Sequence, residues 1–201
     1  LLAEAGIARS QLDAVAVGRG PGAFTGVRLA IALAQGIALA LDRPVVARST
    51  LEVLAMRAEV AEGARVLAAI DARMGEVYSQ SFIRTADGLR ALGDARVSAP
   101  DVVALPDAAD GWAGVGTGFS AAEDALRTRL AGRFTRIDAT ALPRAGDLAR
   151  LAAAAFGRGE CLAPERVEPA YLRDNVALTL VEQAALRASK RAAEPGAPGA
   201  V

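Results

Sequence analysis

The 201-residue chain is 53% hydrophobic, balances 23 Lys+Arg against 23 Asp+Glu for a formal net charge of zero, and holds one cysteine and no histidine. That apolar content is enough for a substantial core in one domain or two small ones and excludes a disordered chain; the even charge leaves no long basic stripe, so any RNA contact must come through local arginines or a partner. Without histidine there is no Ser-His-Asp or Cys-His nucleophile, no His-ligated zinc and no ordinary proton shuttle, while Cys161 alone excludes an internal disulfide and suits a reducing compartment.

The chain opens Leu1-Leu2-Ala3-Glu4-Ala5-Gly6, which reads as the last turns of a helix ending at Gly6; with no methionine ahead of it, the sequence is expected to lack its true start. Residues 12–17 alternate apolar and small side chains and read as a buried strand. Then comes Gly18-Arg19-Gly20-Pro21-Gly22-Ala23-Phe24-Thr25-Gly26, where four glycines and a proline turn the chain sharply. An apolar helix is predicted over 27–41, with Thr25 or Gly26 as its cap. Free amides at such a start attract anions. The apolar run 29–41 has 13 residues and is interrupted by Gln35 and Gly36. It falls short of the roughly 20 needed to cross a bilayer and predicts a core or interface helix.

Three readings of the glycine loop compete. Gly18-x-Gly20-x-x-Ala23 matches the dinucleotide fingerprint between a strand and a helix, the basis of an alternative reading as a dinucleotide-binding oxidoreductase. Its acidic partner is missing, since residues 44–49 offer only Arg48, which would suit a phosphorylated ribose. A Walker-type loop is excluded, because no Gly-Lys-Ser/Thr follows and the only lysine is Lys190. The third reading is a tight crossover that seats the helix on a sheet.

Beyond the helix, 45–47 reads as a second strand, and Ser49 with Glu52 forms a capping box for the next helix. The strand-helix alternation argues for a parallel α/β layer. Glu62-Gly63 breaks it, and 65–71 opens a new region. Strands at 76–83 and 89–97, joined by the turn 84–88, read as a meander. A short helix at 101–105, a strand at 112–115, a turn at 116–118 into a helix at 121–130, a strand at 134–138 and an alanine-rich helix at 147–156 make a second mixed α/β unit. From 188 onward, Pro195, Gly196, Pro198 and Gly199 mark a disordered tail.

Four segments carry a family resemblance: Gly20-Pro21-Gly22-Ala23-Phe24-Thr25-Gly26-Val27-Arg28, Ser49-Thr50-Leu51, Ala69-Ile70-Asp71-Ala72-Arg73-Met74-Gly75-Glu76-Val77-Tyr78, and Glu168-Pro169-Ala170-Tyr171-Leu172-Arg173-Asp174-Asn175-Val176-Ala177. Together they resemble the TsaB family, dimerisation subunits of the bacterial tRNA threonylcarbamoyladenosine machinery, over nearly the whole chain. The first segment is shared with the catalytic relative TsaD; 71–78 and 171–173 in this order are more particular to TsaB. The resemblance implies an α/β fold of the actin/Hsp70/sugar-kinase type with two lobes. Residues 1–63 would be the remainder of an N-terminally truncated first lobe, 64–173 the second lobe, and 174–201 a returning segment and tail. Loss of the family's opening strands would leave the strand at 13–17 as an exposed sheet edge.

The resemblance further implies a non-catalytic, metal-free subunit that supports a TsaD-like enzyme in forming threonylcarbamoyladenosine beside the anticodon. A TsaE-like ATPase is a further expected partner and a homodimer the alternative assembly; tRNA is reached only through the complex, in the cytoplasm. No cofactor of its own is expected, ATP or ADP being the nucleotide the subunit junction would hold. An older grouping of the family with peptidases finds no support, because neither metal ligands nor an activated nucleophile can be assembled.

On the helix at 27–41 only Arg28 and Gln35 are clearly polar, so burial on more than one side is expected. It reads as a core helix that, by resemblance, also offers Leu29, Leu33, Gly36 and Ala40 to a partner helix, with Leu1 and Leu2 from the preceding one. The loop residues of interest are Gly20, Pro21, Gly22, Phe24, Thr25 and Gly26. Asp71, Arg73 and Glu76 are read as fixing the turn at Gly75 and linking the lobes rather than as an acid-base pair, and Tyr171 and Arg173 as anchors of the returning chain.

Overall fold

A computed structural model describes residues 1–173. The segment from 174 and the tail from 188, for which a return and disorder were expected, lie outside the described residues.

Strands β1 (Val15–Gly18) and β2 (Val45–Arg48) pair in parallel, Val15 opposite Val45, and α1 (Phe24–Leu41) crosses between them. Period-two alternation sends each set of side chains to its own helix. Val15, Val17, Val45 and Ala47 pack with Ile31, Ala34 and Ala38 of α1. Ala14, Ala16 and Val46 face Ala152 and Ala155 of α4 (Ala145–Gly157) on the opposite side. Helix α1 starts earlier than predicted. Ala23 is its N-cap, with φ −59° and ψ 127° and without a side-chain cap bond, and the Val27 N–H already donates to the Ala23 carbonyl at 3.0 Å. Thr25 and Gly26 therefore sit within the first turn rather than capping it.

Helix α2 (Thr50–Ala55) is capped by Ser49, whose hydroxyl accepts from the Leu51 N–H at 3.2 Å. The predicted capping box is not closed, because the Glu52 carboxylate turns to Arg48 instead.

The second sheet runs from β5 (Gly88–Ala91) through β4 (Glu76–Thr85), β3 (Arg65–Arg73) and β7 (Trp112–Val115) to β8 (Phe134–Asp138), with β3 antiparallel to β4 and parallel to β7, which pairs in parallel with β8. The single strand predicted over 89–97 is two: β5 (Gly88–Ala91) and β6 (Arg96–Ser98) pair with successive stretches of β4. Gly93-Asp94 bends the chain between them. The helix predicted at 101–105 is a 3₁₀ turn, Pro100–Val102. The one predicted at 121–130 becomes a 3₁₀ turn at Thr117–Ser120 followed by the short α3 (Ala125–Arg129). Ala122, Glu123 and Asp124 take φ of 48°, 56° and 60°, which no right-handed helix accommodates.

Alternation along β3 builds both faces of this sheet. Val66 and Ala68 join Leu51, Leu54, Phe82 and Val115 under α2. Leu67 and Ala69 join Val77, Trp112, Phe119 and Leu126 on the other side. The buried Trp112 indole donates to the Ala109 carbonyl at 2.8 Å, satisfying its one polar atom.

The chain returns to the first sheet sooner than the expected point after Tyr171. Helix α4 packs there, Leu162 bridges Val45, and Val167 joins the core beneath α1. The alanine-rich face of α4 is what lets it lie close on Ala14 and Ala16. At the other end, Gly6 (φ 66°) closes a helix-like turn as predicted, with the Ile7 N–H reaching the Leu2 carbonyl at 3.0 Å.

Candidate functional site

The glycine loop approaches the chain's own backbone. The Gly20 carbonyl accepts from the Thr50 N–H and the Arg19 carbonyl from the Ala170 N–H, both at 2.8 Å. Gly20 has φ 103°, and a Cβ there would stand 3.4 Å from the Ala170 oxygen. Glycine is needed here for conformation and for close passage of the returning chain. Arg48, the one side chain that suited a ribose phosphate, is already taken. Its Nε lies 3.0 Å from the Glu52 carboxylate and its Nη1 3.0 Å from that of Glu160. Burial opposes its charge, but the hydrogen bonds and charges of Glu52 and Glu160 prevail and hold the guanidinium above its ordinary pKa.

Three distant segments line one cleft of about 680 Å³: the loop and the start of α1, the β3-β4 hairpin, and residues 169–173. It lies at the carboxyl ends of β1 and β3, where α/β folds gather their sites. The hairpin turns through Met74 (φ 55°) and Gly75 (φ 76°), both in the left-handed region a two-residue turn of this hand requires. The Asp71 carboxylate accepts from the Arg73 N–H at 2.8 Å, and the Asp71 N–H donates to the Thr117 hydroxyl at 3.2 Å. Arg173 ion-pairs with Glu76 and donates to the Ala72 carbonyl at 3.3 Å. Tyr171 accepts from Arg28, whose guanidinium lies 3.3 Å from the Phe24 ring centroid and 4.9 Å from that of Tyr171. Residues 169–173 thus tie α1 to the hairpin, and Pro21, Gly22, Phe24, Asp71, Arg73, Tyr171 and Arg173 all line the cleft. Sequence reasoning gave Arg28 no role. The available signal was a lone basic residue in an otherwise apolar helix.

Helix α1 is buried on one side only, which corrects the expectation of burial on several. Ile31, Ala34 and Ala38 face the sheet, while Leu29, Leu33, Ile37 and Leu39 are 57%, 58%, 50% and 62% exposed. At 100° per residue, Leu29, Leu33, Gly36 and Ala40 fall within an arc of about 60° on the outer face. Leu1 is fully exposed and Leu2 half-buried. The 18-residue helix is longer than the run read from sequence and is long and apolar enough to cross a membrane. Its inner face is committed to β1 and β2, and the Gln35 amide donates to the Pro164 carbonyl at 2.9 Å, so it forms a layer of this fold. Among the described residues no group of three or more His, Cys, Asp or Glu is placed to hold a metal ion.

Charge sets the pH response. The hydroxyl and N–H of Thr140 hold the Asp138 carboxyl below its ordinary range, and Arg158 does the same for Glu160. A depressed carboxyl stabilises the fold above its unfolded pKa and loses that effect as pH falls through the folded one. With no histidine, the urea midpoint is expected to stay level from about pH 5.5 to 7.5 and to drop below about pH 4. Trp112 fluorescence reads it; a midpoint that moves within the neutral window contradicts this expectation.

The family described as TsaD, tRNA N6-adenosine threonylcarbamoyltransferase, matches residues 1–180. The Escherichia coli tRNA threonylcarbamoyladenosine biosynthesis protein TsaB is 40% identical over 181 residues, covering 88% of this chain and 78% of that protein. The Haemophilus influenzae TsaB is 35% identical, covering 88% and 76%. A Pseudomonas aeruginosa structure, described as an uncharacterized protein with similarity to peptidase YeaZ, superposes with a TM-score of 0.77 at 48% identity, covering 86% of this chain and 79% of that one.

Proposed function

The chain belongs to the TsaB family of tRNA threonylcarbamoyladenosine biosynthesis proteins and has that family's α/β actin-like fold, and from this premise we propose that it is the non-catalytic dimerisation subunit that binds a TsaD-like enzyme. The outer face of α1 carries this reading. Leu29, Leu33, Ile37 and Leu39, each at least half exposed on that face, are the kind of apolar patch that soluble surfaces reserve for partners. Gly36 and Ala40 allow a second helix close approach, and Leu1 and Leu2 add apolar surface from the preceding turn.

The partner supplies the chemistry. With no histidine, this chain offers neither a His-held metal nor a histidine base to a carbamoyl transfer, and the carboxylates of the cleft are held in structural pairs. A TsaE-like ATPase and tRNA join through the assembled complex in the cytoplasm, ATP or ADP is held at the subunit junction, and a homodimer through the same face competes with the heterodimer. The chain alone is expected to give no transfer from threonylcarbamoyl-adenylate to tRNA, and turnover is expected once a TsaD-like enzyme is added. Transfer by the chain alone would refute the scaffold role.

A further inference from the structure

We propose that the mouth of the interlobe cleft is a second contact for the same partner, taking a carboxylate side chain flanked by apolar residues; the inference rests on the reading of α1 as the partner-binding helix. The charge balance of the cleft points to a carboxylate. Arg173 is matched by Glu76 and Arg73 lies 3.8 Å from Asp71. Arg28 has only the Phe24 carbonyl, the Tyr171 hydroxyl and two ring faces as neighbours among the described residues. Among the described residues one guanidinium therefore stands in the cleft without a counter-charge, with donors to spare for bidentate capture of a carboxylate.

The rim supplies the apolar flanks. Phe24 and Tyr171 line it and are 62% and 58% exposed, and Met74, whose sulfur lies 3.6 Å from the lining residue Arg173, is 86% exposed. Aromatic residues, methionine and arginine are the types that protein interfaces concentrate, whereas single-stranded RNA asks for a basic groove that follows its phosphates, and one uncompensated charge is no such groove. The mouth is also continuous with the proposed interface. Exposed residues occur in every turn of α1, from Phe24 at the cleft through Thr25 and Gly26 to Leu29 and Leu33 on the outer face.

The test titrates the full chain with a full-length TsaD-like enzyme by calorimetry at low and high salt. Met74 is 86% exposed and its sulfur accepts from Arg173 at 3.6 Å, so substitutions there are expected to leave the fold intact, and an unchanged urea midpoint verifies it. Met74→Glu is expected to weaken binding about tenfold by facing like charge, whereas Met74→Lys leaves it within about twofold or tightens it. Arg28→Gln is expected to weaken binding about tenfold and to flatten its salt dependence. If Met74→Glu and Arg28→Gln both bind as wild type while Leu33→Glu does not, the cleft assignment falls and that of α1 stands. Weakening by Met74→Glu but not by Leu33→Glu supports the cleft and removes α1. Saturable binding of tRNA by the chain without partner, lost in Arg28→Gln, overturns the proposal in favour of RNA.

Discussion

Leu33→Glu is expected to weaken binding of a TsaD-like enzyme by about 100-fold while leaving the free chain as stable as wild type. Leu33 is 58% exposed at the centre of the outer stripe of α1, so in the free chain a glutamate there stays in water and stability changes by no more than about 0.5 kcal/mol. Once a partner helix covers the stripe, the carboxylate is desolvated among Leu29, Gly36, Ile37 and Ala40 with no basic residue within reach on its own face. An unpaired charge buried at an interface costs about 3 kcal/mol or more, which converts to the 100-fold loss. The same substitution abolishes a homodimer built on this face. Calorimetric titration and a urea curve on the same sample separate the two effects: lost binding with an unchanged urea midpoint supports the assignment, and wild-type affinity removes it.

Gly116→Ala should destabilise the chain by about 3 kcal/mol or more, the largest effect expected of any single methyl addition. Gly116 follows β7 with φ 109°, and an added Cβ would overlap the Ala69 carbonyl oxygen and stand 2.5 Å from the Leu54 methyl. Backbone of β3 on one side and the α2 core on the other leave no room to yield. A left-handed conformation that disfavours any side chain adds to the overpacking. For a chain of this size the loss appears as a fall of roughly 10 °C in Tm. Gly146→Ala is the contrast, since no atom lies within 4 Å and the residue sits in the first turn of α4; a gain of about 0.5 kcal/mol is expected. Equal melting temperatures for the two variants would contradict this packing account.

The sequence disclosed most where one physical rule acted locally. Val15 and Val17, alternating with Ala14 and Ala16, announced β1 because period two is readable within a few residues, and Ser49 announced α2 because a cap needs only its own side chain. What it concealed depended on neighbours remote in the chain. Glu52 had the right spacing for a capping box, yet Arg48 and Glu160 drew it into an ion-pair network assembled only in the fold. The positive φ of residues 122–124 cut short a helix that composition favoured. The apolar residues on more than one face of α1 likewise predicted burial on more than one side, because sequence distinguishes apolar from polar but not core from unpartnered surface. In the cleft, Tyr171 and Arg173 were legible as anchors, but Arg28 became one only when residue 171 returned to it.

Sedimentation velocity of an equimolar mixture of this chain and a full-length TsaD-like enzyme tests whether the outer face of α1 joins the two proteins. A single faster boundary with one copy of each subunit, formed at micromolar concentration and absent with Leu33→Glu, is the predicted result. Two independent boundaries persisting to about 100 μM, or a complex that Leu33→Glu leaves intact, would contradict it.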